Sequence, residues 1–269
     1  MLVLMADPDI ASLRAGAAER ARARATEPFD GEVHDDAIGA VPVRWYRPRP
    51  LDRPDSGVVF LHGGYGILGD LDLQDGYCRR IAGRLRVTVL SVGYRLAPEA
   101  TLADSGADAV AGAAALRAAG IGRVLLWGDS AGGAVALAAA RRAPVAGLAL
   151  TNPNVDLSLS RYDDAAPGGP GRELSEGAFL RWSDVVNLAD APDLAADAHG
   201  LPPVFVAVGS EDSLLPDAHH LAERCASAGV PVELRIVPGA SHAFMTAGDR
   251  DAADRVIDEA GRLLLPARG

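Results

Sequence analysis

The chain has 269 residues, 49% of them apolar and 23% charged, which is enough for one sizeable α/β core or two small ones. Its net charge is −10 with acidic residues scattered and no basic cluster, which tells against a nucleic-acid partner. All 26 positive residues are arginine, a bias read as one of coding rather than of function. Two lone cysteines, Cys78 and Cys225, offer neither a metal-ligand spacing nor a disulfide framework. The opening stretch, Met1 to Met5 and then Asp7, lacks a basic n-region and a long apolar h-region. No run approaches the roughly 18 apolar residues of a membrane span. The expectation is a cytoplasmic protein without a membrane partner.

Residues 9–27, rich in Ala, Arg and Glu, predict an N-terminal amphipathic helix, and 41–46 a strand before a proline-punctuated turn. Residues 57–61 (GVVFL) read as a buried strand, 76–85 as a helix, and 87–92 (VTVLSV) as a second buried strand. The alanine-rich stretch 102–119 predicts a helix and 124–127 a strand that runs directly into a helix over 131–142; 145–150 is again strand. The rhythm breaks between 152 and 200, where a run expected to be flexible, 163–172 (DDAAPGGPGR), precedes a helix expected over 175–188. It resumes with strand 204–208, helix 216–228, strand 232–237 and a closing helix over 249–265. Short apolar strands alternating with helices indicate parallel βαβ units, hence a mostly parallel sheet with helices on both faces. The organisation predicted is a single domain, 1–269, with an N-terminal cap region over 1–35 and a lid insertion over 153–200. Such an insertion lies over the carboxyl ends of the strands, where ligands bind.

The string Gly128-Asp129-Ser130-Ala131-Gly132-Gly133 sits between a strand and a helix. A serine on so tight a strand-to-helix turn is held strained with its hydroxyl projecting above the sheet. Side chains two residues to either side would collide, and both positions are glycine. The N–H of Ala131 is left free to donate to an oxyanion, helped by the positive end of the helix dipole. His62-Gly63-Gly64-Tyr65 follows the GVVFL strand, where bare backbone can approach a tetrahedral intermediate. His62 itself is expected to brace this loop. Serine hydrolases that use such a turn place the acid and then the histidine downstream. Asp212 stands just past the 204–208 strand, with Glu211 and Asp217 as competitors, and His242 lies in the loop after 232–237. The adjacent His219 and His220 cannot share a helix face.

Taken together, these blocks resemble the bacterial hormone-sensitive-lipase-like esterases of the α/β-hydrolase superfamily. The likeness rests on HGGY with Gly66 after it, YRLAPE at 94–99, GDSAGG, and the pair EDSLL and PGASHAF, and it spans roughly residues 40–265. It implies an α/β-hydrolase fold with a small cap, and a Ser130–His242–Asp212 triad. It implies oxyanion donors on Gly64, Tyr65 and Ala131. The expected reaction is hydrolysis of small-molecule carboxylic esters through an acyl-enzyme, with no metal or organic cofactor, and the family commonly pairs as a homodimer through an edge strand. Three positions depart from the pattern: Tyr65 replaces the third glycine of HGGG, Ala134 stands where asparagine is common, and the insertion is short and glycine-rich. A small lid predicts short acyl groups, with Tyr65, Phe179, Trp182 and Phe244 as pocket residues. Alternatives on the same triad are an acyltransferase, thioesterase or cyclase, and an amidase or formamidase. A non-catalytic binding protein on this scaffold is a further alternative, since fold does not fix function.

Overall fold

The structure, a computed structural model, describes residues 9–24 and 26–267. The amino-terminal stretch read above for targeting signals, and parts of the 1–35 cap region, lie outside the described residues. An eight-stranded sheet runs in the order β1-β2-β4-β3-β5-β6-β7-β8. Its strands are β1 (Gly31–Ile38), β2 (Val41–Pro48), β3 (Ser56–Leu61), β4 (Thr88–Val92), β5 (Arg123–Asp129), β6 (Gly147–Thr151), β7 (Val204–Gly209) and β8 (Val232–Val237). β2 pairs antiparallel with β1 and with β4, and every other pairing is parallel. Four of the inner strands, β3, β4, β6 and β7, are buried at every residue, which is why they read as mostly apolar runs.

The helices are α1 (Ile10–Ala23), α2 (Asp75–Leu85), α3 (Leu102–Ala118), α4 (Ala131–Ala140), α5 (Arg172–Trp182), α6 (Leu215–Ser227), α7 (Phe244–Ala247) and α8 (Arg250–Leu264). One apolar cluster joins a face of the sheet to residues of α3, α4 and α6 and takes in α5; the other face packs on α2, α7 and α8. Helix starts follow local chemistry. The Asp9 carboxylate caps α1 by accepting from Ser12 N at 3.1 Å, and Thr101 with Asp104 forms a reciprocal capping box at α3.

Two elements differ from the sequence expectation. Residues 31–38, which begin inside the expected cap region and run past its end, form the edge strand β1, whose largely exposed and polar side chains (GEVHDDAI) carry no apolar run to announce it. The helix expected over 175–188 starts earlier and stops at Trp182, because Asp184 adopts a left-handed φ of 55°.

Candidate active site

Three side chains from three loops converge above the carboxyl ends of β5, β7 and β8. Ser130 follows β5 and holds φ 53° and ψ −118°, a strained conformation that only its surroundings can impose. Those surroundings are glycine by necessity: an added Cβ on Gly128 would stand 2.2 Å from the Gly132 carbonyl oxygen, and one on Gly132 would stand 2.0 Å from that of Leu61. The turn is locked by Ser130 N–H donating to Thr151 O at 2.9 Å and by Gly133 N–H donating to Ser130 O at 2.9 Å.

Ser130 Oγ lies 2.8 Å from His242 Nε2, and His242 Nδ1 lies 2.8 Å from Asp212 Oδ2. Asp212 is buried, and its other oxygen accepts from Leu214 N at 3.0 Å, so the carboxylate is fixed before the imidazole meets it. Burial alone would lower the His242 pKa; the hydrogen bond and charge of Asp212, with the charge of Asp129, outweigh it and raise the value above 6.5. An imidazole so placed can take a hydroxyl proton and hold the resulting charge. Of the competing acids, Asp217 faces elsewhere, its Oδ2 accepting from the backbone of Val155 and Asp156, and Glu211 enters the site only through its backbone.

The HGGY loop approaches from β3. A Cβ on Gly63 would sit 3.2 Å from Ser130 Cβ, and Gly64 has φ 128° with no room for a side chain against Leu68. Gly63 N–H is already spent on Gln74 Oε1 at 2.9 Å. Among the described residues, the N–H groups of Gly64 and Tyr65 carry no hydrogen bond, and that of Ala131 opens helix α4, where no intrahelical acceptor exists. His62 is buried and stacks on Tyr94 with ring centroids 4.4 Å apart, while Tyr94 Oη donates to His62 O at 2.7 Å. Burial lowers the His62 pKa, which keeps this ring neutral beneath the loop. Ala97 N–H donates to Gly66 O at 2.8 Å, so YRLAPE is the floor on which the loop rests.

The aromatic side chains expected in the pocket divide. Tyr65 is half-buried at the site, and its Oη accepts from Gly171 N at 3.3 Å. Phe179, Trp182 and Phe244 are instead enclosed in the core. Trp182 packs under the HGGY loop, where a Cβ on Gly66 would stand 2.4 Å from its ring, and its Nε1 donates to Ser105 Oγ at 3.0 Å. Phe179 is buried in the same apolar cluster, and Phe244 packs with α2 and α8 on the other side of the sheet.

Several polar residues at the site escaped the sequence reading. Gln74 links the two halves, its Nε2 donating to Asp129 Oδ2 at 2.6 Å while Thr151 Oγ1 donates to Asp129 Oδ1 at 2.5 Å. Burial raises the Asp129 pKa. Asn152, with φ 45°, donates from Nδ2 to His242 O at 2.7 Å and accepts from Gly209 N at 3.2 Å. The buried Asn154 amide reaches within 3.4 Å of Ser130 Oγ. The run 163–172 is also closely held: Asp163 N–H donates to Ser213 O at 3.0 Å, Gly168 N–H to Glu211 O at 2.9 Å, and His242 N–H to Gly168 O at 2.7 Å.

Residues 58–246 match a family profile described as alpha/beta hydrolase fold. The chain is 34% identical to the esterase LipI of Mycobacterium tuberculosis over 78% of its own length and 73% of the relative's. It is 32% identical to an ethyl acetate hydrolase of Pseudomonas putida, with 82% and 74% covered. A crystal structure of a hormone-sensitive lipase from a metagenome library superposes with a TM-score of 0.81 at 31% identity, covering 96% of this chain and 92% of that one. The chain therefore belongs to the hormone-sensitive-lipase-like esterases of the α/β-hydrolase fold and is a carboxylesterase-like hydrolase that acts on small-molecule esters.

Proposed function

We propose that Ser130 is the nucleophile of a short-acyl carboxylesterase, with His242 as general base, Asp212 as its orienting acid, and Gly64, Tyr65 and Ala131 as oxyanion donors. The observation that carries this reading is the unbroken chain Ser130 Oγ–His242 Nε2 and His242 Nδ1–Asp212 Oδ2, each link 2.8 Å. His242 takes the hydroxyl proton as Oγ bonds to the ester carbonyl carbon. The carbonyl electron pair moves to an oxygen held by the three N–H groups. As that oxyanion collapses, the alcohol leaves with the proton from Nε2 and an acyl-serine remains. Water, deprotonated by the same nitrogen, then releases the acid and restores Ser130. The short insertion after β6 supports small acyl groups, and so does the relative named for ethyl acetate hydrolysis.

Ser130→Ala is expected to lower kcat by about 10⁴–10⁶-fold and to abolish labelling by a fluorophosphonate. A nitrophenyl ester series is expected to peak at two to four acyl carbons, by analogy with that relative's name. A Ser130→Ala enzyme with wild-type turnover removes the triad assignment, and a peak at long chains removes the substrate class alone.

A further inference from the structure

We propose that the glycine-rich run 163–171 is a strap that positions His242 through the peptide groups of Gly168, and that the Tyr65 hydroxyl latches it. This rests on the triad assignment above and adds positioning residues to it. Its composition suggests a slack loop; its hydrogen bonds do not. The N–H of Gly168 donates to Glu211 O in the acid loop at 2.9 Å, and its carbonyl accepts from His242 N–H in the histidine loop at 2.7 Å. One residue of the insertion thus bridges the two loops that carry the triad's acid and base. Farther along, Gly171 N–H donates to Tyr65 Oη at 3.3 Å, and the Tyr162 hydroxyl donates to the Pro170 carbonyl. The strap therefore touches all three parts of the site: acid loop, histidine loop and HGGY loop.

Steric room explains the glycines. A Cβ on Gly168 would stand 2.5 Å from Ser241 Cβ, and one on Gly169 would stand 1.9 Å from Ser213 Oγ. Neither glycine is required by a left-handed φ. What they permit is a close backbone approach to the residues beside His242 and Asp212. The same contacts account for the tyrosine that replaces the third glycine of HGGG: its backbone N–H stays unbonded, while its hydroxyl reaches over to hold the strap.

Gly168→Ala would push the strap off Ser241 and with it displace the imbedded end of His242. Misplacement by about an ångström costs on the order of 10²-fold in rate, so kcat is expected to fall about 10- to 100-fold with KM little changed. The acid limb of kcat/KM is expected to move toward lower pH, because an imidazole drawn away from Asp212 and Asp129 loses the charges that raise its pKa. Adding Ser241→Gly removes the clashing atom and is expected to restore kcat to within about threefold, its remaining contacts being 3.2 Å. Tyr65→Phe removes only the latch and is expected to lower kcat/KM about two- to tenfold, as loss of one hydrogen bond would. A Gly168→Ala enzyme with wild-type kcat and pH profile overturns the proposal, as does a loss that Ser241→Gly fails to restore. If Gly168→Ala does not fold, Tyr65→Phe decides: an unchanged kcat/KM overturns the strap's role. Fluorophosphonate labelling of Ser130 in the parent enzyme is measured in parallel, so failure of the triad itself would be seen separately.

Discussion

Asp212 and Asp217 are nearly equal in burial, at 1% and 3% exposed, but their neighbours give them different tasks. Asp212 faces an imidazole, whereas Asp217 accepts two backbone N–H groups and faces no cation closely enough to offset its loss of water. Burial accordingly raises the Asp217 pKa from 3.8 to about 7. Because the folded value lies above the unfolded one, this group's ionisation withdraws stability as pH climbs from about 4 to 7. Asp217→Asn keeps the accepting oxygen without the charge, so it is expected to raise Tm more at pH 8 than at pH 5 while kcat is retained. Asp212→Asn is expected to lower kcat by about 10⁴-fold, since the amide favours the wrong imidazole tautomer. The reverse ranking in the same assay moves the acid to Asp217. For His242 the raised pKa sets the working range: the neutral ring needed as base is depleted below a midpoint above 6.5. A kcat/KM profile between pH 5 and 9 is expected to rise through that midpoint, and a flat profile removes the histidine base.

Arg14 on helix α1 reaches the loops of the site. Arg14 donates from Nε to Ile67 O at 2.7 Å and from Nη2 to Ala97 O at 2.8 Å, and pairs with Glu99 at 2.7 Å. It thereby ties the amino-terminal helix to the HGGY loop and to YRLAPE at once. Arg14 holds the Glu99 carboxyl well below its usual range, at about 2, so the pair is fully present above pH 4.5 and is lost only as pH falls toward 2. Arg14→Met is expected to speed amide hydrogen exchange across α1 without abolishing Ser130 labelling; unchanged exchange would show that the apolar face of α1 suffices. The motif-bearing turns were legible in the sequence because their demands are local: GDSAGG needs small residues beside the serine, Asp212 follows the apolar strand β7, and His242 follows the alternating strand β8. Strand β1 was not, since its polar and charged run shows no apolar alternation, whereas the other edge strand, β8, alternates as VELRIV. Nor could the strap's role be read, for it works through peptide groups, which leave no trace in residue type.

Across the molecule, the sheet separates two apolar layers. The layer opposite α3 and α4 is closed by α8, pinned to α2 by Arg80 and Arg84 paired with Asp254 and by Arg84 paired with Asp258. Asp254 and Arg80 are mostly shielded from water, so stripping the carboxylate leaves cationic groups poorly compensated. Asp254→Ala is expected to cost about 2 kcal/mol and roughly 4–8 °C in Tm, with kcat unaltered; a Tm shift under 1 °C would count against the ladder. Parallel architecture was readable from alternating apolar runs, but the fate of the aromatic residues was not. Phe179, Trp182 and Phe244 carry the same signature whether they line a cavity or fill a core, and only the packing distinguishes them. The Gln74 carboxamide, finally, holds the Gly63 amide, behind the proposed oxyanion donors, with one end and the Asp129 carboxylate, which precedes the proposed nucleophile, with the other. In the mechanism proposed above, attack and charge capture therefore share a crossbar between neighbouring strands. A mutation that shifts either pole drags its counterpart along, so the two cannot be tuned one at a time while that crossbar stands.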